Sequence, residues 1–280
     1  MEPLVTTAWL AKELGASDLR IVDATKFLPG TERDARAEYE AAHIPGAVFM
    51  DLAELVDPND PVENMAPKAE KFASRMQSLG LGDGSRIVLY DDSPLKSAAR
   101  AWWLLKLFGA HDVALLDGGI AKWKAEGRPV ESGNHTLRHR HFTVWRDANV
   151  VRTKQQMLDN VASGAEQVAD ARPAGRFTGD DAEIRPGMAS GHIPGSRSLP
   201  HSTLFNADGT WQSADALRAA FADAGIDLDK PLITTCGSGM TAAVLAFAAH
   251  LLGKDDVALY DGSWTEWGAD PATPKATGAA

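Results

Sequence analysis

Three short motifs occur twice in this chain, in the same order. His43-Ile44-Pro45-Gly46-Ala47 returns as His192-Ile193-Pro194-Gly195-Ser196, and Ile21-Val22-Asp23-Ala24 returns as Val168-Ala169-Asp170-Ala171. Leu115-Leu116-Asp117-Gly118-Gly119 with Trp123 returns as Leu259-Tyr260-Asp261-Gly262-Ser263 with Trp267. The offset is roughly 145 to 149 residues, far longer than the units of a solenoid, which run about 20 to 50. A repeat of that length in a chain of 280 residues describes two copies of one ordinary-sized domain. Whatever fold the first half adopts, the second half must also adopt.

Each copy alternates short apolar runs with amphipathic stretches. In the second, residues 166–170, 231–235 and 257–260 read as buried strands, and Ser213 reads as the N-cap of a helix running to residue 224, with Leu217, Ala220, Phe221 and Ala224 on one face. In the first, residues 86–90 read as a strand followed by a helix over 98–108. Strand–helix alternation predicts an α/β fold, each copy a mostly parallel sheet flanked by helices. The expected division is a first domain over 1–132, a polar, pattern-poor linker over 133–150, and a second domain over 151–280.

Composition narrows the function classes. Apolar residues make up 44% and charged residues 24%, enough to build cores without covalent staples. A formal net charge of −10 argues against duplex nucleic acid as a partner, since such binding needs a basic surface. The longest apolar stretch, near residues 242–252, is interrupted by His250 and too short to span a bilayer. Met1-Glu2-Pro3-Leu4-Val5 carries no basic region ahead of an apolar core, so no secretion signal is expected. One cysteine rules out an intramolecular disulfide and a multi-cysteine metal cluster, and fits a reducing, cytoplasmic setting.

That cysteine is where chemistry is expected. Cys236 directly follows the strand run Pro231-Leu232-Ile233-Thr234-Thr235 and opens Cys236-Gly237-Ser238-Gly239-Met240-Thr241, ahead of an apolar helix expected to begin near Met240. In parallel α/β folds, functional groups gather at the carboxyl ends of strands. Two glycines allow the backbone to turn successive N–H groups inward as an anion nest, which would favour a thiolate and, equally, a persulfide. Ser238 adds a hydroxyl able to donate to that anion or to a leaving group. In the repeat, Tyr90-Asp91-Asp92 stands opposite Thr235-Cys236-Gly237, so the first copy has Asp91 where the thiol is and cannot perform thiol chemistry. A cysteine phosphatase needs an arginine six residues after its nucleophile; Ala242 occupies that position here.

The loop Cys236-Gly237-Ser238-Gly239-Met240-Thr241-Ala242 resembles the active loop of 3-mercaptopyruvate sulfurtransferases, within the rhodanese superfamily; thiosulfate-specific rhodaneses tend to carry basic side chains in this loop. The paired His-Ile-Pro-Gly turns, Trp102-Trp103, Leu116-Asp117-Gly118-Gly119 and Tyr260-Asp261-Gly262-Ser263-Trp264 extend the resemblance over nearly the whole chain. It implies tandem rhodanese-like domains, the first inactive, and no metal or organic cofactor. It also implies a small-molecule sulfur donor, with thioredoxin, a small thiol or cyanide as acceptor. Asp170-Ala171-Arg172-Pro173-Ala174-Gly175-Arg176-Phe177 and Glu183-Ile184-Arg185-Pro186-Gly187 match the family as well. By resemblance, Arg176 and Arg185 hold the donor's carboxylate and keto group, while Gly237, Gly239, Met240 and Thr241 complete the cradle around Cys236. The chain departs from the family at Ala53 and Asn64, where members often carry Asp and His of a proton-handling triad with the loop serine. A Ser–His–Asp relay does not carry over.

Arg100, at the start of the first copy's helix, is a further candidate to lend positive charge to the site. His43 and His192 occur in both copies and are expected to be structural, with imidazole bonded to backbone. His135, His139 and His141 lack the neighbouring ligands that a metal site needs. Trp264 and Trp267 are expected in packing. The resemblance, together with the cysteine loop, therefore implies a sulfurtransferase using 3-mercaptopyruvate, with thiosulfate as the alternative donor, and a non-catalytic sulfur carrier or interaction module as the reading from another class.

Overall fold

The apolar runs become strands buried on both faces, as parallel strands covered by helices on each side must be. In the computed structural model, which describes residues 1–134 and 138–279, the first copy runs β1 (Leu4–Val5), α1 (Thr7–Glu13), β2 (Leu19–Asp23), α2 (Ala35–Ala41), β3 (Ala47–Phe49), α3 (Ala69–Ser78), β4 (Arg86–Tyr90), α4 (Ala98–Leu107), β5 (Val113–Leu116) and α5 (Gly119–Ala125). The second runs β6 (Val151–Arg152), α6 (Lys154–Ser163), β7 (Gln167–Asp170), α7 (Ala174–Thr178), β8 (Ser196–Ser198), α8 (Ala214–Asp223), β9 (Leu232–Thr235), α9 (Ala242–Leu251), β10 (Val257–Tyr260) and α10 (Ser263–Trp267). The sheets have the orders β1-β5-β4-β2-β3 and β6-β10-β9-β7-β8, with every strand pair parallel. The duplication read from three motifs is thus a duplication of topology.

Local signals act where expected. Ser213 caps α8, its side chain accepting from Ala216 N, and Leu217 and Phe221 are the buried residues of that helix. α9 is apolar all round and buried over residues 242–249, as such a helix must be. It begins at Ala242 rather than near Met240, because Gly239 at φ +74° holds the preceding residues in a turn. The edge strands β1, β3, β6 and β8 are two or three residues long, too short to show any alternation. No helix among the described residues is long and apolar enough to cross a membrane.

The chain divides into two compact units that are not contiguous in sequence. The first comprises Met1–Asp57, Ala66–Asp147 and Asn206–Trp211; the second comprises Pro58–Met65, Ala148–Phe205 and Gln212–Ala280. Within the stretch read as linker, residues 138–147 are strapped to the first unit: Asp83 N donates to His141 O, Trp145 N to Phe108 O and Asp147 N to Leu107 O.

Register places the functional ends of the strands. β4 and β9 are the central strands, and Asp23 pairs with Tyr90 as Asp170 pairs with Thr235, so Asp91 and Cys236 emerge at equivalent points. β7 connects to its neighbour on one side (β8) and β9 to its neighbour on the other (β10). With right-handed crossovers, α7 and α9 leave on opposite faces, and the gap above β7 and β9 is the switch point where α/β sheets hold ligands. The copies differ two residues beyond the paired aspartates. Arg172 neutralises Asp170 through bonds of 2.7 to 3.1 Å, whereas its counterpart in the first copy is the uncharged Thr25, whose backbone N–H donates to Asp23 at 2.9 Å. Asp23 is 4% exposed, and burial pushes its carboxyl up to about 6 against the hydrogen bonds from Thr25, with the nearby Asp91 charge adding to the rise.

A raised carboxyl holds its proton more tightly in the folded state, so its contribution is complete below the ordinary value of 3.8 and is lost as pH climbs through about 6. At 1.36 kcal/mol per pH unit this is about 3 kcal/mol. Urea denaturation from pH 4 to pH 7 is expected to show wild type losing stability relative to Asp23→Asn across that window. Parallel stability curves would contradict the assignment.

Candidate active site

Cys236 is 2% exposed, just past the end of β9. Its loop is fastened from below by the start of α10. Cys236 O accepts from Trp264 N at 2.9 Å, and Gly237 O accepts from Thr265 N at 2.8 Å and Thr265 Oγ1 at 2.6 Å. Ser263 ties the loop together. Its Oγ accepts from Cys236 N at 3.3 Å and Gly239 N at 3.0 Å, and donates to Tyr260 O at 2.8 Å. It does so from a left-handed backbone (φ +49°), uncommon for serine and held here by the bonds that converge on its hydroxyl, one more of them from Thr235 Oγ1 at 3.4 Å. In the sequence Ser263 is an echo of Gly119 within the string Tyr260-Asp261-Gly262-Ser263-Trp264, and no local signal distinguishes it as the loop's anchor.

The nest differs in detail from the expected one. Only Gly239 adopts a positive φ; Gly237 does not, and what it provides is room, since a Cβ there would lie 3.4 Å from Arg176 Nη2. Two N–H groups, those of Cys236 and Gly239, are spent on Ser263. Among the described residues, the N–H groups of Gly237, Ser238, Met240 and Thr241 and the hydroxyl of Ser238 meet no protein acceptor. Met240 and Thr241 are buried, and Ser238 is partly exposed. The loop is thus a rigid ring of donors with unspent capacity beside a thiol.

Behind it runs a line of alternating charges. Arg172, 1% exposed, forks onto Asp170, gives Nη1 to Glu183 at 2.7 Å and Nη2 to Gly191 O at 2.8 Å, and lies 4.5 Å over the Trp264 ring. Glu183, whose side chain is 3% exposed, also takes Arg176 Nε at 3.2 Å and Nη2 at 2.5 Å. Burial pulls the Arg172 guanidinium down, but Asp170 and Glu183 outweigh it and hold the group above its ordinary range, and Cys236 is close enough to add to that effect. In the sequence Asp170, Arg172 and Glu183 are only members of the two strings that match the family. Their spacing in sequence gives no sign that one glutamate serves two arginines.

The structure brings Arg176 to the loop. Arg185 instead turns Nε and Nη2 to Glu63, at 2.9 and 2.8 Å. Arg100 is 2% exposed on α4 with its guanidinium 4.4 Å over Trp103. In the first unit, the place of the thiol is filled by Asp91, whose carboxylate accepts from Ser93 N at 3.0 Å and Ala98 N at 2.7 Å. His43 and His192 are both backbone-bonded, through Nδ1 to Tyr39 O and Phe177 O, and stacked on those same rings. Trp264 and Trp267 are buried, each donating its indole N–H to a carbonyl. His139 and His141 are exposed, and His135 lies outside the described residues.

Comparison with known proteins agrees with this architecture. The Rhodanese-like domain family matches residues 6–126 and again 153–270. Over 270 residues the chain is 41% identical to the 3-mercaptopyruvate sulfurtransferase of Homo sapiens, covering 94% of this chain and 91% of that protein. It is equally 41% identical, over 271 residues, to the thiosulfate sulfurtransferase of Cricetulus griseus, covering the same shares of both. Among solved structures, SseA from Escherichia coli, a 3-mercaptopyruvate sulfotransferase, superposes with a TM-score of 0.86 at 37% identity, over 94% of this chain and 99% of that one. Equal identity to both kinds of sulfurtransferase leaves the donor to be argued from the site.

Ser263→Ala removes the hydroxyl that accepts from Cys236 N and Gly239 N. It is expected to lower unfolding free energy by about 1 to 3 kcal/mol, the cost of leaving a buried donor unsatisfied. Chemical denaturation measures this, and an unchanged midpoint would show that the loop holds without Ser263.

Proposed function

The chain belongs to the rhodanese family, with two rhodanese-like domains in tandem, and from that premise we propose that it is a sulfurtransferase taking sulfur from 3-mercaptopyruvate onto Cys236. One observation carries the reading: a buried cysteine lies in a pinned loop whose N–H groups at Gly237, Ser238, Met240 and Thr241 are unspent, with the Arg176 guanidinium alongside. Such a ring stabilises negative charge on sulfur at no cost in reorganisation. The Cys236 thiolate attacks the donor's sulfur, the donor's C–S bond breaks, and the electron pair leaves on carbon as pyruvate enolate. Ser238 or water protonates the enolate. The persulfide then waits in the ring until a thiol, protein-borne as in thioredoxin or small, or cyanide takes its outer sulfur and restores the thiolate. Two half-reactions through one covalent intermediate give ping-pong kinetics. A reducing cytoplasm suits a mechanism that needs its only thiol free.

Arg176 and Arg185 provide the planar cations for the donor's 2-oxo acid end. The loop itself holds no basic side chain to favour an inorganic dianion. One observation favours thiosulfate instead: Ala53 and Asn64 carry no proton-handling group, and thiosulfate releases sulfite without an enolate to protonate.

Steady-state turnover with cyanide as acceptor separates the two donors. The expected kcat/KM is higher for 3-mercaptopyruvate, and Cys236→Ser abolishes turnover with either. Arg176→Ala is expected to raise KM for 3-mercaptopyruvate about ten- to hundred-fold, the worth of a hydrogen bond to a charged group. A preference for thiosulfate, or an unmoved KM in Arg176→Ala, would overturn the donor assignment.

A further inference from the structure

The two arginines assigned to the donor are held by glutamates of very different standing. Glu183, on Arg176, has a side chain 3% exposed and is fixed from its other side by Arg172. Glu63, on Arg185, has a side chain 61% exposed, and its single oxygen Oε2 takes both Nε and Nη2 of the guanidinium. Glu63 sits in Pro58–Met65, the segment of the first half that belongs to the second unit, immediately before Asn64, whose backbone is left-handed at φ +63°. The segment therefore delivers a carboxylate to Arg185 from 122 residues away in sequence.

The group that Glu63 presents is chemically the same as the one a 2-oxo acid donor would present: a carboxylate meeting the Nε–Nη2 edge of a guanidinium. We propose that Glu63 is a specificity-determining residue, a carboxylate of the chain itself that occupies Arg185 until a carboxylate-bearing sulfur donor displaces it. The inference rests on the reading of Arg185 as a donor-binding residue. Displacement is feasible because an exposed ion pair is worth little in water and is screened by salt. Glu183, buried and shared by two cations, is not displaceable in this way. The exchange swaps one carboxylate for another, so Arg185 is never left with an unpaired charge. A donor lacking a carboxylate gains nothing from the exchange, and Glu63 thus acts on the binding of one donor class and leaves the chemical step alone.

The test is steady-state kinetics of Glu63→Gln, Arg185→Ala and the double variant, with 3-mercaptopyruvate and thiosulfate, at low and high salt. Glu63→Gln is expected to lower KM for 3-mercaptopyruvate about two- to five-fold at low salt, the range of an exposed pair. Its kcat is expected to stay put, as is KM for thiosulfate, and the gain is expected to shrink at high salt and vanish on the Arg185→Ala background. If Arg185→Ala raises KM for 3-mercaptopyruvate but Glu63→Gln leaves it unchanged or raises it, Glu63 steadies Arg185 and the proposal falls while the donor reading stands. An equal fall in KM for thiosulfate also overturns the proposal, since the effect is then general charge. If Arg185→Ala leaves KM for 3-mercaptopyruvate unmoved, the reading of Arg185 fails first and takes the proposal with it.

Discussion

A sulfur anion at the closed end of a parallel sheet is out of reach of bulk water, so its charge has to be met by donors already in position. In the second unit those donors are backbone N–H groups, and a backbone ring is only as good as whatever keeps it from relaxing. Ser263 does this by consuming two of the ring's own N–H groups, and α10 does it by capping the carbonyls of Cys236 and Gly237. The donors left over point to a need that the folded chain does not itself meet. The first unit answers the same constraint from within: Asp91 puts a carboxylate at the equivalent point and bonds it to Ser93 N and Ala98 N. One copy carries its own carboxyl group there, which burial pushes above the ordinary carboxylate range, and the other has donors to spare for an anion that comes and goes.

Charge behind the loop is arranged on the same principle. Asp170, Arg172, Glu183 and Arg176 alternate in sign through the interior, each buried charge meeting an opposite one at hydrogen-bond distance. Breaking such a line at a buried member costs several kcal/mol, typically about 3 to 5. Arg176 is therefore fixed in direction by Glu183 before any donor arrives. The first unit has Thr25 in place of Arg172, so no cation offsets the burial that pushes the Asp23 carboxyl up.

How much of this was legible in the sequence depended on range. The repeat gave away the shared topology, and strands such as 86–90 and 257–260, the Ser213 cap and the backbone bonding of both His-Ile-Pro-Gly imidazoles follow from local pattern. Cys236 and its loop were legible because a strand end followed by glycines is a local signal too. What could not be read is what long-range geometry decides. Ser263 reaches back 27 residues to Cys236, and Glu63 reaches forward 122 to Arg185. Gly237 looked like a second left-handed residue and is instead a gap for Arg176. The exchange of Pro58–Met65 and Asn206–Trp211 between the units leaves no mark in composition or periodicity.

The central claim is that Cys236 carries the sulfur in transit. Intact-protein mass, taken after brief exposure to 3-mercaptopyruvate without an acceptor, tests it directly. The account predicts a gain of one sulfur atom that maps to the peptide containing Cys236, disappears on adding cyanide, and is absent from Cys236→Ser. A folded protein with a titratable thiol that gains no sulfur from 3-mercaptopyruvate or from thiosulfate would contradict it.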